Sequence, residues 1–152
     1  MGSNFQDIPL SRKNKKMMKK HEGRGDNCLP AMIVTNNPMV AAKYRNVYFR
    51  NDSVEETLIR VRDLVYAGHE LITHPLTASL RMFYSSYRSV ILGKQQDKTD
   101  FLSAQTIENS IIKYKMLTDH RVKNMNEAAD YQMIDLILLE SALHEQPGEI
   151  YQ

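Results

Sequence analysis

After residue 30 the apolar and polar positions of the chain fall into two rhythms, one of strands and one of helices. Ala31 to Thr35 (A-M-I-V-T) is a short apolar run, the pattern of a strand buried on both faces. Asn36-Asn37-Pro38 interrupts it. Asn suits turns and caps, and Pro38 stands where proline opens a helix. A short helix is predicted over Pro38 to Arg45, then a second strand at Val47-Tyr48-Phe49. Ser53 is a good N-cap, and Glu56 three residues on completes a capping box. Val54, Leu58, Val61, Leu64 and Val65 follow at helical spacing, with Glu55, Arg60, Arg62 and Asp63 on the other face. Gly68 is placed to end that helix as a left-handed cap.

Glu70 to Thr73 predicts a third strand, broken by His74-Pro75. Ser89 to Leu92 predicts a fourth, ended by Gly93. Two helices follow. One runs from about Ala104 to Leu117, capped by Asp100 or Ser103, with Ile107, Ile111 and Tyr114 on one stripe. The other, capped by Asn126, runs from Glu127 to about His144. Its segment M-I-D-L-I-L-L-E-S-A-L is apolar around most of its circumference, so it needs more than one neighbour. A homodimer through residues 133–143 is one way to supply it.

The alternation predicts an α/β fold: a single three-layer domain over residues 31–152. About four strands would form a small, mostly parallel sheet flanked by helices, Rossmann-like in outline. No G-x-G-x-x-G follows the first strand, so the dinucleotide fingerprint is missing. Residues 74–88 are long enough for a crossover or for an elaborated hairpin, which leaves the direction of the fourth strand open.

Charge changes the picture at one end only. The 152 residues carry a net charge of +2. Residues 1–30 hold seven Lys/Arg against three Asp/Glu (+4), and the rest hold thirteen against fifteen (−2). Those first thirty residues, with R-K-N-K-K-M-M-K-K at their centre, have sparse apolar positions and no period. They read as a disordered basic extension, non-native or from an upstream start. A basic arm for nucleic acid or a docked helix are the other readings. No apolar run follows the charges as in a signal peptide, and a cytoplasmic protein is expected. No stretch approaches the ~20 apolar residues of a membrane span, so no membrane association is expected. The single cysteine, Cys28, cannot form an internal disulfide.

In open α/β sheets, ligands bind beyond the carboxyl ends of strands. Two polar loops should lie there. In the first, Thr35, Asn36 and Asn37 precede a helix N-terminus that favours an anion. The bland alternative is that the two amides only cap and shape the turn. In the second, Thr73, Thr77 and Ser79 offer hydroxyls, His74 an imidazole, and Arg81 and Arg88 charges for a carboxylate or phosphate. For His74 the alternative is a structural bond at the strand end, and for each arginine a solvated surface charge. Phe83, Tyr84 and Tyr87 form either a stacking platform or pins that hold the loop to the sheet. No G-x-S-x-G elbow, P-loop or clustered His/Cys set is present, so nucleophilic catalysis, nucleotide hydrolysis, a metal and a cofactor are not expected.

Met32 to Val40 (M-I-V-T-N-N-P-M-V), Leu71 to Arg81 (L-I-T-H-P-L-T-A-S-L-R), Tyr87 to Val90 (Y-R-S-V) and Thr106 to Ile111 (T-I-E-N-S-I) together resemble the GrdX family. These are small proteins encoded beside glycine, sarcosine and betaine reductase genes in amino-acid-fermenting anaerobic bacteria. The resemblance spans roughly residues 32–118, with T-N-N-P and T-H-P-L its most specific parts. The family pattern is richer in proline where this chain has Met82 and Ser86, and often has Gly where Ala78 stands. The resemblance implies a genomic setting rather than a reaction.

The favoured reading is a non-catalytic accessory or regulatory protein of such a reductase system. It would bind a small anionic ligand, or a protein partner, at a crevice between the two loops. The rival is an enzyme using His74 as general acid or base. A nucleic-acid-binding protein led by the basic tail is the third reading.

Overall fold

The computed structural model describes residues 31–119 and 128–146. The proposed N-terminal extension, the Asn126 cap and the side chain of Arg81 lie outside the described residues. In chain order the elements are β1 (Met32–Thr35), α1 (Pro38–Lys43), β2 (Val47–Phe49), α2 (Val54–Tyr66), β3 (His69–Leu71), α3 (Leu80–Phe83), β4 (Ser89–Gln95), α4 (Phe101–Thr118) and α5 (Ala128–Glu145).

The local signals act as their chemistry requires. Asn37 caps α1 by accepting from Met39 N–H, with Pro38 at the first helical position. Ser53 Oγ caps α2, accepting from Glu56 N–H at 3.1 Å. Asp100 caps α4, accepting from Ser103 N–H at 2.9 Å. Gly68 has φ +115°, and a Cβ there would lie 2.1 Å from the Gln96 carbonyl oxygen. Only glycine fits that turn.

The four strands form one mixed sheet in the order β2-β1-β4-β3. β1 pairs with β2 in parallel, while β4 runs antiparallel to both β1 and β3. The expectation of a mostly parallel sheet is therefore not met, because only one of the three pairings is parallel. The cause is the long connection: it folds back as an elaborated hairpin, and β4 inserts between β1 and β3. Gly93 does not end β4 but lies within it. A Cβ at Gly93 would meet Ile72 Cδ1 at 3.3 Å, so the residue permits close approach of the neighbouring chain.

Alternation along β1 and β4 divides the core in two. Met32, Val34, Val90 and Leu92 face a cluster containing Val54, Leu58, Val61 and Val65 of α2 and Ile107, Ile111 and Tyr114 of α4. Ile33 and Ile91 face a smaller cluster with Val40 of α1 and Leu136 and Leu139 of α5. Phe83 belongs to the larger cluster, with its ring 5.8 Å from that of Tyr114. It pins the long connection to the core rather than offering a stacking face. Among the described residues no helix is long and apolar enough to cross a membrane.

Candidate functional site

The carboxyl ends of β1 and β3 and the start of β4 meet at one end of the sheet, and α5 crosses beside them. This follows from the reversal of β4, whose register sets Thr35 opposite Ser89. The two polar loops stand on either side of that strand and have different fates.

In the first loop every polar side-chain group of Thr35, Asn36 and Asn37 is engaged. Asn36, 2% exposed, accepts from Arg88 N–H at 2.8 Å and donates to the carbonyls of Asp52 and Ser86, both at 2.8 Å. It ties three chain segments together with one amide. Asn37 Nδ2 donates to the Gln132 carbonyl and to Asp135 Oδ2, both at 2.9 Å. Asn37 N–H donates to Thr35 Oγ1 at 2.9 Å, and the hydroxyls of Thr35 and Ser89 are 2.7 Å apart. Ser89 gives its proton to Asp135 Oδ2 at 2.7 Å. The Thr35 hydroxyl is therefore the donor to Ser89. The result is a closed ring: Asn37 N–H to Thr35, Thr35 to Ser89, Ser89 to Asp135, and Asn37 Nδ2 back to the same carboxylate.

Asp135 was not foreseen. It lies in α5, 6% exposed, and also accepts from Ser89 N–H at 3.1 Å through Oδ1. Burial raises its pKa from the ordinary carboxylate value, opposed by the hydrogen bonds from Asn37 and Ser89 and by the charge of Arg88. The one signal in the sequence was an Asp in the middle of M-I-D-L-I-L-L, where a charge is expensive unless partnered.

The second loop borders a cleft of about 170 Å³. Thr73, His74 and Thr77 of the loop line it, with Met82, Tyr87, Arg88 and Ser89 from the segment leading into β4. Asp135, Leu138, Leu139 and Ala142 of α5 complete the lining. Thr73 Oγ1 accepts from Ile91 N–H at 2.9 Å and keeps its own proton to donate. The Leu76 N–H points to His74 Nδ1 at 3.1 Å, which orients the exposed ring. Thr77 Oγ1 accepts from Ser79 N–H at 3.3 Å, and Ser79 is exposed. Thus Thr73, His74, Thr77 and Arg88 are brought together. Thr35, Asn36, Asn37 and Ser79 do not line the cleft.

Arg88 is the unusual member. It is 5% exposed, yet it enters none of the ion pairs found among the described residues. Its guanidinium has five N–H donors. Nη2 reaches the carbonyls of Met82 and Phe83 at 3.4 and 3.3 Å, long for such bonds. Nε is buried and has no partner among the described residues. Burial lowers its pKa from the usual value, opposed by the charge of Asp135. Even so, a guanidinium stays protonated in proteins. Leaving such a cation buried and poorly bonded is expensive, and an anion in the adjoining cleft would reduce that cost.

Among the described residues no group of three or more His, Cys, Asp or Glu side chains is placed to hold a metal. A family model described as GrdX-like protein matches residues 32–144, well over half of the chain. No curated protein and no solved structure matches it significantly. The T-N-N-P and T-H-P-L segments that carried the resemblance are the two loops flanking β4, and the chain belongs to the GrdX-like protein family.

Proposed function

We propose that this protein is a non-catalytic accessory or regulatory component of a glycine-reductase-type system, binding a small anionic ligand in the cleft between the T-H-P-L loop and α5. Family membership supports the association with such systems. The ligand reading rests on a single observation: Arg88 is a buried, poorly bonded cation that lines a cleft. In this reading Arg88 anchors the anion, and Thr73, Thr77 and His74 supply polar contacts. Thr35, Asn36 and Asn37 act one layer back by fixing Arg88, Ser89 and Asp135. The test is thermal denaturation of the full chain against a panel of small anions. At least one anion should raise the melting temperature, and the rise should vanish in Arg88→Met. No response to any anion would overturn the reading.

One observation favours a second reading. His74 lines the same cleft with its ring oriented through Nδ1, as a general acid or base would need to be. Turnover of a bound ligand, abolished in His74→Ala with binding retained, would make the protein an enzyme.

The same proposal includes a cytoplasmic, three-layer, Rossmann-like domain, which the two apolar clusters on opposite sheet faces support. It also includes a homodimer through residues 133–143. Leu136 and Leu139 are already buried against the chain's own sheet and Leu138 lines the cleft, so the contact would fall on Met133 and Ile137, each about half exposed. Sedimentation should give a dimer, with Ile137→Lys reverting it to 17.6 kDa. A wild-type monomer at micromolar concentration would remove the dimer from the proposal.

A further inference from the structure

The walls of the cleft say more about the ligand than its sign. Resting on the reading above, we infer that the cleft selects a small monocarboxylate, with its carboxylate on Arg88 and a short apolar part against α5. Three observations carry this. The first is charge. The lining includes one arginine, Arg88, and one carboxylate, Asp135, and the charge of each is felt by the other. A single negative charge is matched by Arg88. A second would stand beside Asp135, where like charges repel. Phosphate and sulfate are penalised on that ground.

The second observation is shape and polarity. Thr73, Thr77 and Arg88 bring donors to the lining, whereas Leu138, Leu139 and Ala142 of α5 bring hydrocarbon. A fully oxygenated anion would leave acceptors against those leucines, at the cost of losing their hydration. A carboxylate with a short aliphatic stem sets its polar end on the donors and its stem on the apolar wall. A planar carboxylate also suits the planar guanidinium fork. The third is size. The cleft, about 170 Å³, is well below the several hundred Å³ of nucleotide-sized sites. It has room for roughly half a dozen non-hydrogen atoms, taking ~30 Å³ per water as the measure.

A plain carboxylate and one that carries an ammonium group are separable ligands. Asp135 accepts three hydrogen bonds. A carboxylate can accept about four. One acceptor position on Oδ1 remains for a cationic group on the ligand.

The experiment is calorimetric titration of the full chain with four probes: propionate, alanine, inorganic phosphate and sulfate. Propionate or alanine is expected to bind, with phosphate and sulfate at least about tenfold weaker, a factor equal to one pKa unit of charge interaction. Alanine tighter than propionate would identify a zwitterion, and the reverse a plain carboxylate. Arg88→Met should weaken the carboxylate by more than about tenfold, the ordinary loss for a charge-assisted bond. Ala142→Met fills the cleft without touching either charge and should abolish binding while the melting temperature is held. Phosphate or sulfate binding as tightly as the carboxylates would overturn this inference and leave the anion-binding reading intact. Binding of none of the four, together with silence in the wider anion panel, would overturn both. Carboxylate binding unchanged in both variants would place the ligand elsewhere and overturn the inference.

Discussion

The two loops that flank β4 contain similar side chains and use them in opposite ways. Asn36 and Asn37 are buried, and apart from the Asn37 cap on Met39 N–H their amides bond to segments between 16 and 98 residues away. The bonds of His74 and Thr77 reach only two residues along the chain. The first loop is a junction, and the second is a rim. Polar residues after a strand are therefore not equivalent as ligand candidates. What matters is how much hydrogen-bonding capacity tertiary structure has already used.

Substitutions on the two sides should differ sharply. The largest effect is expected for Asp135→Ala, which leaves Ser89 and Asn37 donors buried without an acceptor. A loss of about 3–5 kcal/mol is expected, the range for stripping one partner from a buried charged network. Urea denaturation measures it, and a loss under about 1 kcal/mol would show that the ring contributes little. Asn36→Ala comes next, at about 2–3 kcal/mol, since a buried N–H and two partly buried carbonyls lose their partner together. Arg88→Met should reverse the sign. Removing a poorly bonded buried cation while keeping its volume is expected to be neutral or to stabilise by roughly 1–3 kcal/mol, while ligand binding is lost. A clear destabilisation would mean that the long bonds to Met82 and Phe83 matter more than their geometry indicates.

A smaller effect is expected from pH. His69 is fully buried, its Nδ1–H donates to the Gly93 carbonyl at 2.8 Å, and Nε2 has no partner among the described residues. Burial lowers its pKa, with the Gly93 bond acting in the opposite direction. The unfolded imidazole takes up a proton as pH falls through about 6.5. The folded one resists, so stability is lost on acidification through that value. Asp135 acts in the opposite sense. Its raised pKa makes the folded state the better proton acceptor above the ordinary carboxylate value, so acidification there adds stability. Comparing wild type with His69→Phe isolates the first slope, which should be flatter in the variant between pH 7 and 5. Smallest of all is His74→Ala, expected within about 0.5 kcal/mol of wild type, because its ring is an exposed rim group. A loss as large as that of Asn36→Ala would erase the distinction between junction and rim.

Much of the framework was legible in local chemistry. Asn37, Ser53, Asp100 and Gly68 act as written because caps and tight turns are decided by near neighbours. The reversal of β4 was not legible, since a fifteen-residue connection is compatible with either direction and pairing partners decide between them. Gly93 was misread for a related reason: its need is close approach by the adjacent strand, which composition does not reveal. The amides of Asn36 and Asn37 suggested a ligand because their partners lie far away in sequence. Asp135 was hidden by the hydrophobicity of its helix, though a lone carboxylate there should have prompted a question about its partners.

The ring through Asn37, Thr35, Ser89 and Asp135 also sets an order of events. It closes only when β1 and β4 are in register and α5 has docked, joining positions 98 residues apart. Contacts so distant in sequence form late. A slip of one residue between the strands would turn Ser89 to the opposite face and leave Asp135 with no hydroxyl to meet. The last helix thus verifies the pairing of the strands beneath it. Because α5 also supplies one wall of the cleft, a misassembled chain lacks the site as well as the lock. Under the proposed function, ligand binding would thereby certify correct folding.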